Sequence, residues 1–410
     1  MRHRLPPPLR LRSFALLWTS SLANGLAQQM LVVAIGWQVY QIHKNPLDIG
    51  LVGLAEFLPL PLLALPAGQL ADRAPRRLVV AAGLLLQVGI SAGLVVITLS
   101  GAHALWPFLA IGATAGGASA LTNPAGRSLT PEIVPAELLP GAVALRSVAS
   151  QIGVVVGPAI GGLVFKFEPV AVYLTAAALF TLAVVTILGV SSQAARAPAT
   201  ALTWKSLVAG VDFIVRTRML LGAITLDLVA VLLGDSIALA PVFAATILDI
   251  GPFGLGVLRA APSVGALLAG VLLSRRPLRF RAGPTLLGVV AAFGAMMIVF
   301  GLSRSLPLSL AALAVSGFAD MISMNIRATT VLLVTPHELQ GRVSAVEWVF
   351  ISASNELGAF EAGAVASLIG TVATVVGGGV AMMGFAASWP KLFPPLARMG
   401  RLDELEPEAA

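Results

Sequence analysis

Gly68-Gln-Leu-Ala-Asp72-Arg73-Ala-Pro75-Arg76-Arg77 closes one long apolar run and precedes the next. An aspartate and three arginines within six residues are too polar for hydrocarbon, yet the apolar runs on either side leave the stretch no aqueous domain to belong to. It reads as a short loop at a membrane face, joining two membrane helices. Taken alone, the loop is a positively charged anchor carrying a local ion pair. Whether it is more depends on the architecture around it.

The rest of the chain has the composition that this loop demands. Of 410 residues, 57% are hydrophobic and 11% charged, with a mean hydropathy of +0.92, far from soluble globular proteins. The net charge of +7 and pI near 10.7 do not indicate nucleic acid, because the basic residues fall in short loops between apolar runs rather than along one face. Their natural partner is an anionic lipid leaflet. There are no cysteines, which excludes disulfides, thiolate catalysis and zinc-thiolate sites.

A helix needs about 20 apolar residues to cross the hydrocarbon. By that measure twelve spans are expected, at 14–40, 49–70, 78–98, 104–126, 138–165, 169–190, 219–247, 253–273, 282–302, 307–329, 341–368 and 370–390. Strands do not compete, since the runs are too long and lack two-residue alternation. The first run is too long for a signal-peptide core and leads directly into further spans, so cleavage is not expected. With the N-terminus inside, twenty-one lysines and arginines fall on the inner side and only Lys44, Lys166 and Arg304 on the outer side. That bias places both termini in the cytoplasm.

The chain divides at 191–218. Trp204, Leu207, Val208, Val211, Ile214 and Val215 recur at helical spacing among Lys205, Asp212, Arg216 and Arg218, as in an amphipathic helix lying on the inner surface. The expected organisation is a cytoplasmic segment (1–13), a six-helix bundle (14–190), this linker (191–218), a second bundle (219–390) and a cytoplasmic tail (391–410). The halves look like copies of each other. Pro135-Ala-Glu-Leu138 matches Pro336-His-Glu-Leu339 at an offset of 201 residues, and Pro59 matches Pro262 at 203. Ser274-Arg275-Arg276 falls where the repeat calls for a second copy of the opening loop, without its aspartate.

On this background the loop resembles the G-x-x-x-D-R-x-G-R-R signature that major facilitator superfamily transporters carry between their second and third helices, with Pro75 in place of a glycine. The resemblance implies an all-α integral membrane protein of twelve transmembrane helices in two pseudo-symmetric six-helix bundles, working by alternating access. It also implies a switch role for Gly68, Asp72, Arg73, Arg76 and Arg77. Asp72 would cap the eleventh helix near Gly341 and Arg342, an attraction of about 0.3 to 1 kcal/mol, while the arginines bind lipid or neighbouring acids.

In the fifth span, Gly153-Val-Val-Val-Gly157-Pro158-Ala-Ile-Gly161-Gly162 puts glycines on one face, where another helix approaches closely, and Pro158 frees the carbonyl of Val154. The pattern resembles the antiporter signature of proton-coupled exporters in the superfamily, although Ala144 stands where its most N-terminal glycine is often found. Asn123-Pro-Ala-Gly-Arg127, the stretch from Pro135 to Gly162, and Thr335-Pro-His-Glu-Leu-Gln-Gly-Arg342 are similar to the branch of enterobactin exporters and macrolide-efflux-like proteins.

Charge indicates which helices line the transport path. Spans three, six, nine and twelve contain no Asp, Glu, Lys or Arg and can face lipid. Glu56, Asp227, Asp235, Asp320, Glu347, Glu356 and Glu361 lie at membrane depth, and at about 3 kcal/mol each they would oppose insertion by roughly 20 kcal/mol if exposed to lipid. They must face a cavity, each other or an arginine. The candidates for carrying a proton are Asp235, then Glu56, Asp320 and Glu356. The competing reading is permanent pairing with Arg146 or Arg259, and Glu56 and Arg259 are repeat-related at an offset of 203. Further cavity candidates are Asn24 and Gln28, which share a stripe with Ser20, together with Ser119, Asn123, Arg127, Asp227, Arg259 and Arg327. Their plainer role is interhelical hydrogen bonding, worth about 0.6 kcal/mol on average.

No G-x-x-x-x-G-K-[ST] loop is present for an ATP-driven pump, and the four histidines lie at loops or termini, so the chain is not expected to be an enzyme or to bind a metal or cofactor. The expected function is proton-coupled export of a small amphipathic molecule (siderophore, drug or metabolite) by a monomer in the bacterial inner membrane. The alternatives are an importer or uncoupled facilitator on the same fold and, more distantly, a sensor. Acid-rich spans favour a cationic or zwitterionic substrate, yet an anionic one could meet Arg127, Arg259 or Arg327.

Overall fold

The computed structural model describes residues 6–63, 66, 70, 74–191, 204–234, 237–275 and 280–402, apart from the side chains at 204–207, 345, 348 and 352. Among these residues the regular structure is entirely helical. The first six membrane helices are α1 (Arg12–His43), α2 (Pro46–Phe57, its apolar run continuing to Leu63), α3 (Arg76–Ser100), α4 (Trp106–Ile133), α5 (Leu139–Phe167) and α6 (Pro169–Leu188). A linker helix (Trp204–Arg216) follows. Then come α7 (Arg218–Gly234), α8 (Gly251–Arg275), α9 (Ala282–Leu302), α10 (Leu306–Val334), α11 (Gln340–Ile369) and α12 (Thr371–Leu392). Short helical turns between Ile237 and Ile247 extend the seventh span.

Each expected span overlaps a helix, with residues 64, 65 and 67–69 of the second and 235–236 of the seventh lying outside the described residues. Nine of them, among the described residues, are long and apolar enough to cross a membrane. The other three are α1, α4 and α11, which carry the polar stripe at Ser20, Asn24 and Gln28, the group Ser119 to Arg127, and the acids Glu347, Glu356 and Glu361. Their lower hydropathy comes from side chains that a purely lipid-facing helix would not carry.

The helices form two compact units. One comprises Met1–Lys44, Ala55–Ala201 and Gly251–Ala260, and the other Asn45–Leu54, Leu202–Ile250 and Ala261–Ala410. Within the first unit, α1 packs on α5 and α6, and α3 on α4 and α6. Within the second, α7 packs on α11 and α12, and α9 on α10 and α12. The second set is the first advanced by six helices, so the repeat seen in sequence is a repeat of packing.

The cores are made of the side chains that the periodicity leaves facing inward. Tyr173, Phe14, Phe108 and Phe180 are fully buried in the first unit. Tyr173 donates to Gln38 Oε1, and Gln38 Nε2 to Thr98 Oγ1 at 3.1 Å, so the polar ends of α1, α3 and α6 are satisfied together. In the second unit Leu226, Leu286, Val290, Ile326, Met382 and Trp389 form one cluster, and Trp389 Nε1 donates to Gly222 O at 3.0 Å. The linker helix buries Phe213 and Ile214 against Val343 and Val346 of α11 and leaves Val208, Val211 and Val215 exposed.

Candidate functional site

Gly68, Asp72 and Arg73 of the opening loop lie outside the described residues, as does Asp235. The loop's last two arginines begin α3 and meet protein groups. Arg76 pairs with Glu132 of α4 and donates to Ser128 O at 3.2 Å. Arg77 donates to Val190 O at 2.9 Å, just beyond the C-terminus of α6, where unsatisfied carbonyls favour a cation.

All four glycines of the α5 pattern are buried at close backbone approaches. A Cβ on Gly153 would stand 2.9 Å from Gly25 C, one on Gly157 2.6 Å from Gln29 Cβ, and one on Gly161 2.8 Å from Met30 Cα. These three share the face toward α1. Gly162 and Pro158 serve a second face, where Gly162 meets Pro252 O and Pro158 O meets Gly256. Any side chain larger than hydrogen would force these helices apart, which is the physical content of the pattern.

The α1 stripe divides its roles. Ser20 donates to Ala183 O of α6 at 3.0 Å, an interhelical bond. Asn24 Oδ1 is buried without a hydrogen-bond partner, and Gln28 is half-buried. On α4, Ser119 is buried, while Asn123 and Arg127 are exposed. Among the described residues, Arg146 of α5 makes no ion pair with a membrane acid. It donates to Gly126 O at 2.9 Å and to Thr130 Oγ1 at 2.6 Å, both on α4. A carbonyl has two lone pairs, so Gly126 serves its helix and the guanidinium together.

The other candidates concentrate in the second unit. Asp227 of α7 pairs with Arg327 of α10, and both side chains are about nine-tenths buried. Beside them lies a cavity of about 100 Å³ lined by Asp227, Asp320, Ser323 and Asn355 over apolar walls that include Phe293 and Met382. A second pocket of about 10 Å³, room for roughly one water, is lined by Asp227, Arg327, Glu347 and Ser354. The structure therefore gathers Asp227, Asp320 and Arg327 around adjoining cavities and adds Glu347, Ser323 and Asn355. The remaining candidates are elsewhere. Glu56 is half-buried on α2 with its carbonyl against Gly116, Glu356 Oε2 lies 3.3 Å from where a Cβ on Gly53 would stand, and Arg259 is half-buried on α8.

Glu347 is one of seven membrane-depth acids in the sequence, and its spacing within α11 does not single it out. The repeat does: it lies 201 residues after Arg146, the offset of the Pro-Ala-Glu-Leu and Pro-His-Glu-Leu pair. Among the described residues no group of three or more His, Asp or Glu is placed to hold a metal ion.

Comparison with known proteins agrees with this architecture. The chain is similar to the multidrug efflux pump Tap of Mycolicibacterium fortuitum, 29% identical over 382 residues that cover 90% of this chain and 91% of that protein. It is 30% identical over 266 residues to the uncharacterized MFS-type transporter YfiS of Bacillus subtilis (strain 168), covering 61% of this chain and 62% of that one. In fold it resembles a bacterial homolog of the human lysosomal transporter Spinster, in an inward-facing and unoccupied conformation. The TM-score is 0.74 at 14% identity, over 96% of this chain and 98% of that one. A bacterial homologue of the iron transporter ferroportin, inward-facing, gives 0.71 at 17% identity over 92% and 98%. The family model described as transmembrane secretion effector matches residues 6–403. The chain is thus a multi-pass membrane protein that belongs to the transmembrane secretion effector family of major facilitator superfamily transporters.

Proposed function

We propose that the protein is a secondary active transporter that exports a small amphipathic molecule across the bacterial cytoplasmic membrane in exchange for protons. The observation that carries this reading is the likeness, over nine-tenths of the chain, to a multidrug efflux pump. The glycine face of α5, used along its whole length at backbone approaches, supports the antiporter-like role of Gly153, Gly157, Pro158, Gly161 and Gly162. The substrate is a drug, siderophore or related metabolite, as handled by the enterobactin-exporter and macrolide-efflux-like branch. The protein works as a monomer, with both termini cytoplasmic and its basic inner loops against anionic lipid.

Alternating access needs a bias that each conformation feels differently. Asp72, Arg73, Arg76 and Arg77 supply a structural bias, and membrane carboxylates supply the proton-dependent one. Proton entry is worth about 2.3 kcal/mol per charge per 100 mV of membrane potential. Of the carboxylates, Asp320 is favoured by its place on the 100 Å³ cavity, with Asp235, Glu56 and Glu356 as further candidates. Two carboxylates over apolar walls suit a lipophilic cation or zwitterion.

The reading is tested in a bacterial host lacking its own major efflux pumps. Expression of the protein is expected to raise resistance to a lipophilic cation or a macrolide and to lower its cellular accumulation, and dissipating the proton gradient abolishes both effects. Increased accumulation on expression would instead identify an importer. Depletion that survives collapse of the gradient would identify an uncoupled route.

A further inference from the structure

Arg327 is the most buried guanidinium described in the second unit, at 7% exposure, and its hydrogen-bonding is incomplete. Nη1 pairs with Asp227, but Nε is buried without a partner. An arginine has five N–H donors, and a buried one left unsatisfied costs about 1 to 3 kcal/mol. The small pocket beside it has one further acid on its wall, Glu347 of α11, within electrostatic reach of both Arg327 and Asp227. Glu347 makes no ion pair with Arg327 in this structure; the ion pair of Arg327 is with Asp227.

We infer that Glu347 is a proton-exchanging partner of Arg327, and that Asp227, Arg327 and Glu347 form one site whose charge changes by a single proton. This rests on the proton-coupled reading above and names a residue for it. The site holds two carboxylates and one guanidinium. With Glu347 protonated, Asp227 and Arg327 cancel and the site is neutral. With Glu347 ionised, its carboxylate accepts from Arg327 Nε–H, directly or through a water in the pocket, and the site carries one net negative charge. The structure, with Nε unpartnered, has the geometry of the protonated form. On deprotonation the proton leaves Glu347 for water and a charge-assisted bond forms between α10 and α11. That bond ties α10 to α11.

The groups around Glu347 allow this assignment. From α7 the pocket receives Asp227, and from α10 Arg327, while Asp320 of α10 lines the adjoining cavity. On α11 itself the other acids are Glu356 and Glu361, two or more turns away, and Arg342 lies at the helix start. The linker helix packed on α11 brings Asp212 and Arg216, paired with each other at 2.9 Å. Along α11, α2 sets Gly53 against Glu356 and Gly50 against Phe360, so its Asp48 lies toward the end of α11 away from Glu347. Lys391 is at the last turn of α12. Ser354 Oγ donates to Phe350 O at 2.7 Å, leaving its lone pairs free to accept a pocket water. The corresponding position in the first unit is Arg146, fixed to a carbonyl and a hydroxyl, so only the second unit has a titratable group there.

The test uses the full-length protein in lipid nanodiscs, with the infrared absorption of protonated carboxyl groups recorded as the pH is stepped from acid to alkaline. Wild type is expected to lose carboxyl intensity as the pH rises. Glu347→Gln removes one carboxyl's share of that change, Glu347→Asp restores it, and Arg327→Lys moves its midpoint. In proteoliposomes, Glu347→Gln is expected to keep ethidium counterflow within about twofold of wild type and to lose gradient-driven ethidium accumulation at least tenfold. Retained counterflow also shows that the variant is folded. An infrared change in Glu347→Gln equal to that of wild type overturns the inference. A wild type that shows the Glu347 signal but ignores the imposed gradient overturns the coupled-export reading while leaving the proton site standing.

Discussion

Each unit sets an arginine where its fourth-type and fifth-type helices meet, part-buried in the first and buried in the second, and the two are held in opposite ways. In the first unit Arg146, on α5, is bonded to Gly126 O and Thr130 Oγ1, neutral groups of α4 that cannot leave, with a second cation, Arg127, within electrostatic reach. In the second unit Arg327, on α10, is bonded to Asp227, and Glu347 stands at the position repeat-related to Arg146. A duplicated frame has thus kept its packing while reversing the charge at one position. A guanidinium bonded to a carbonyl keeps one state at every physiological pH. A guanidinium between two carboxylates can change partners, so the second unit is where a proton can be read as a change in helix contacts.

The contrast can be broken by substitution, and the largest effect falls on the ion pair. Asp227→Ala leaves the Arg327 charge buried and uncompensated, an expected loss of about 3 to 5 kcal/mol in reversible unfolding of the purified protein. Combining it with Arg327→Met is expected to recover most of that loss. A penalty under about 1 kcal/mol for the single change would mean that the pair is hydrated and that the second unit has no special site. Next comes the glycine face of the first unit. Gly161→Val, with Met30 Cα 2.8 Å from the new Cβ, is expected to cost about 1 to 3 kcal/mol through overpacking, seen as a lower midpoint of thermal unfolding.

Arg146→Met sharpens the comparison, because its acceptors keep other partners. About 1 kcal/mol is expected, well below the Asp227→Ala effect. An equal or larger loss would show that Arg146, too, neutralises a buried acid. The smallest effect is a control. Gly89→Ala on α3 adds a Cβ that meets nothing within 4 Å and is expected to stabilise by about 0.4 to 1 kcal/mol, read as a small rise in the unfolding midpoint.

The sequence makes the helices legible because the bilayer imposes a length and a polarity that few other structures share. Even α1, α4 and α11, whose hydropathy is lowered by polar residues, are bounded by recognisable ends: Lys44 in a left-handed conformation after α1, and Gly370 at φ 90° between α11 and α12. The glycines of α5 announce a close approach, but not that Gly25, Gln29 and Met30 supply the other surface. Nor does the sequence show which acid stands beside which arginine. Asp227 and Arg327 are separated by a hundred residues and share no periodicity, and the acceptor of Arg146 is a backbone carbonyl, identical in every residue. Asp320 and Glu356 look alike as intramembrane acids, yet Asp320 lines a cavity with Asp227 and Asn355 while Glu356 lies against Gly53.

The central claim is export driven by protons, and the direct measurement is made on inverted membrane vesicles under an imposed pH gradient, acid inside. Lipophilic cations, macrolides and siderophores are scanned with wild type and with Asp235→Asn and Asp320→Asn. The account predicts that at least one compound accumulates against its own gradient while the pH gradient is partly dissipated, and that replacing an essential carboxylate abolishes the proton flux. Movement of every transported compound down its gradient only, indifferent to the imposed pH difference, would contradict it.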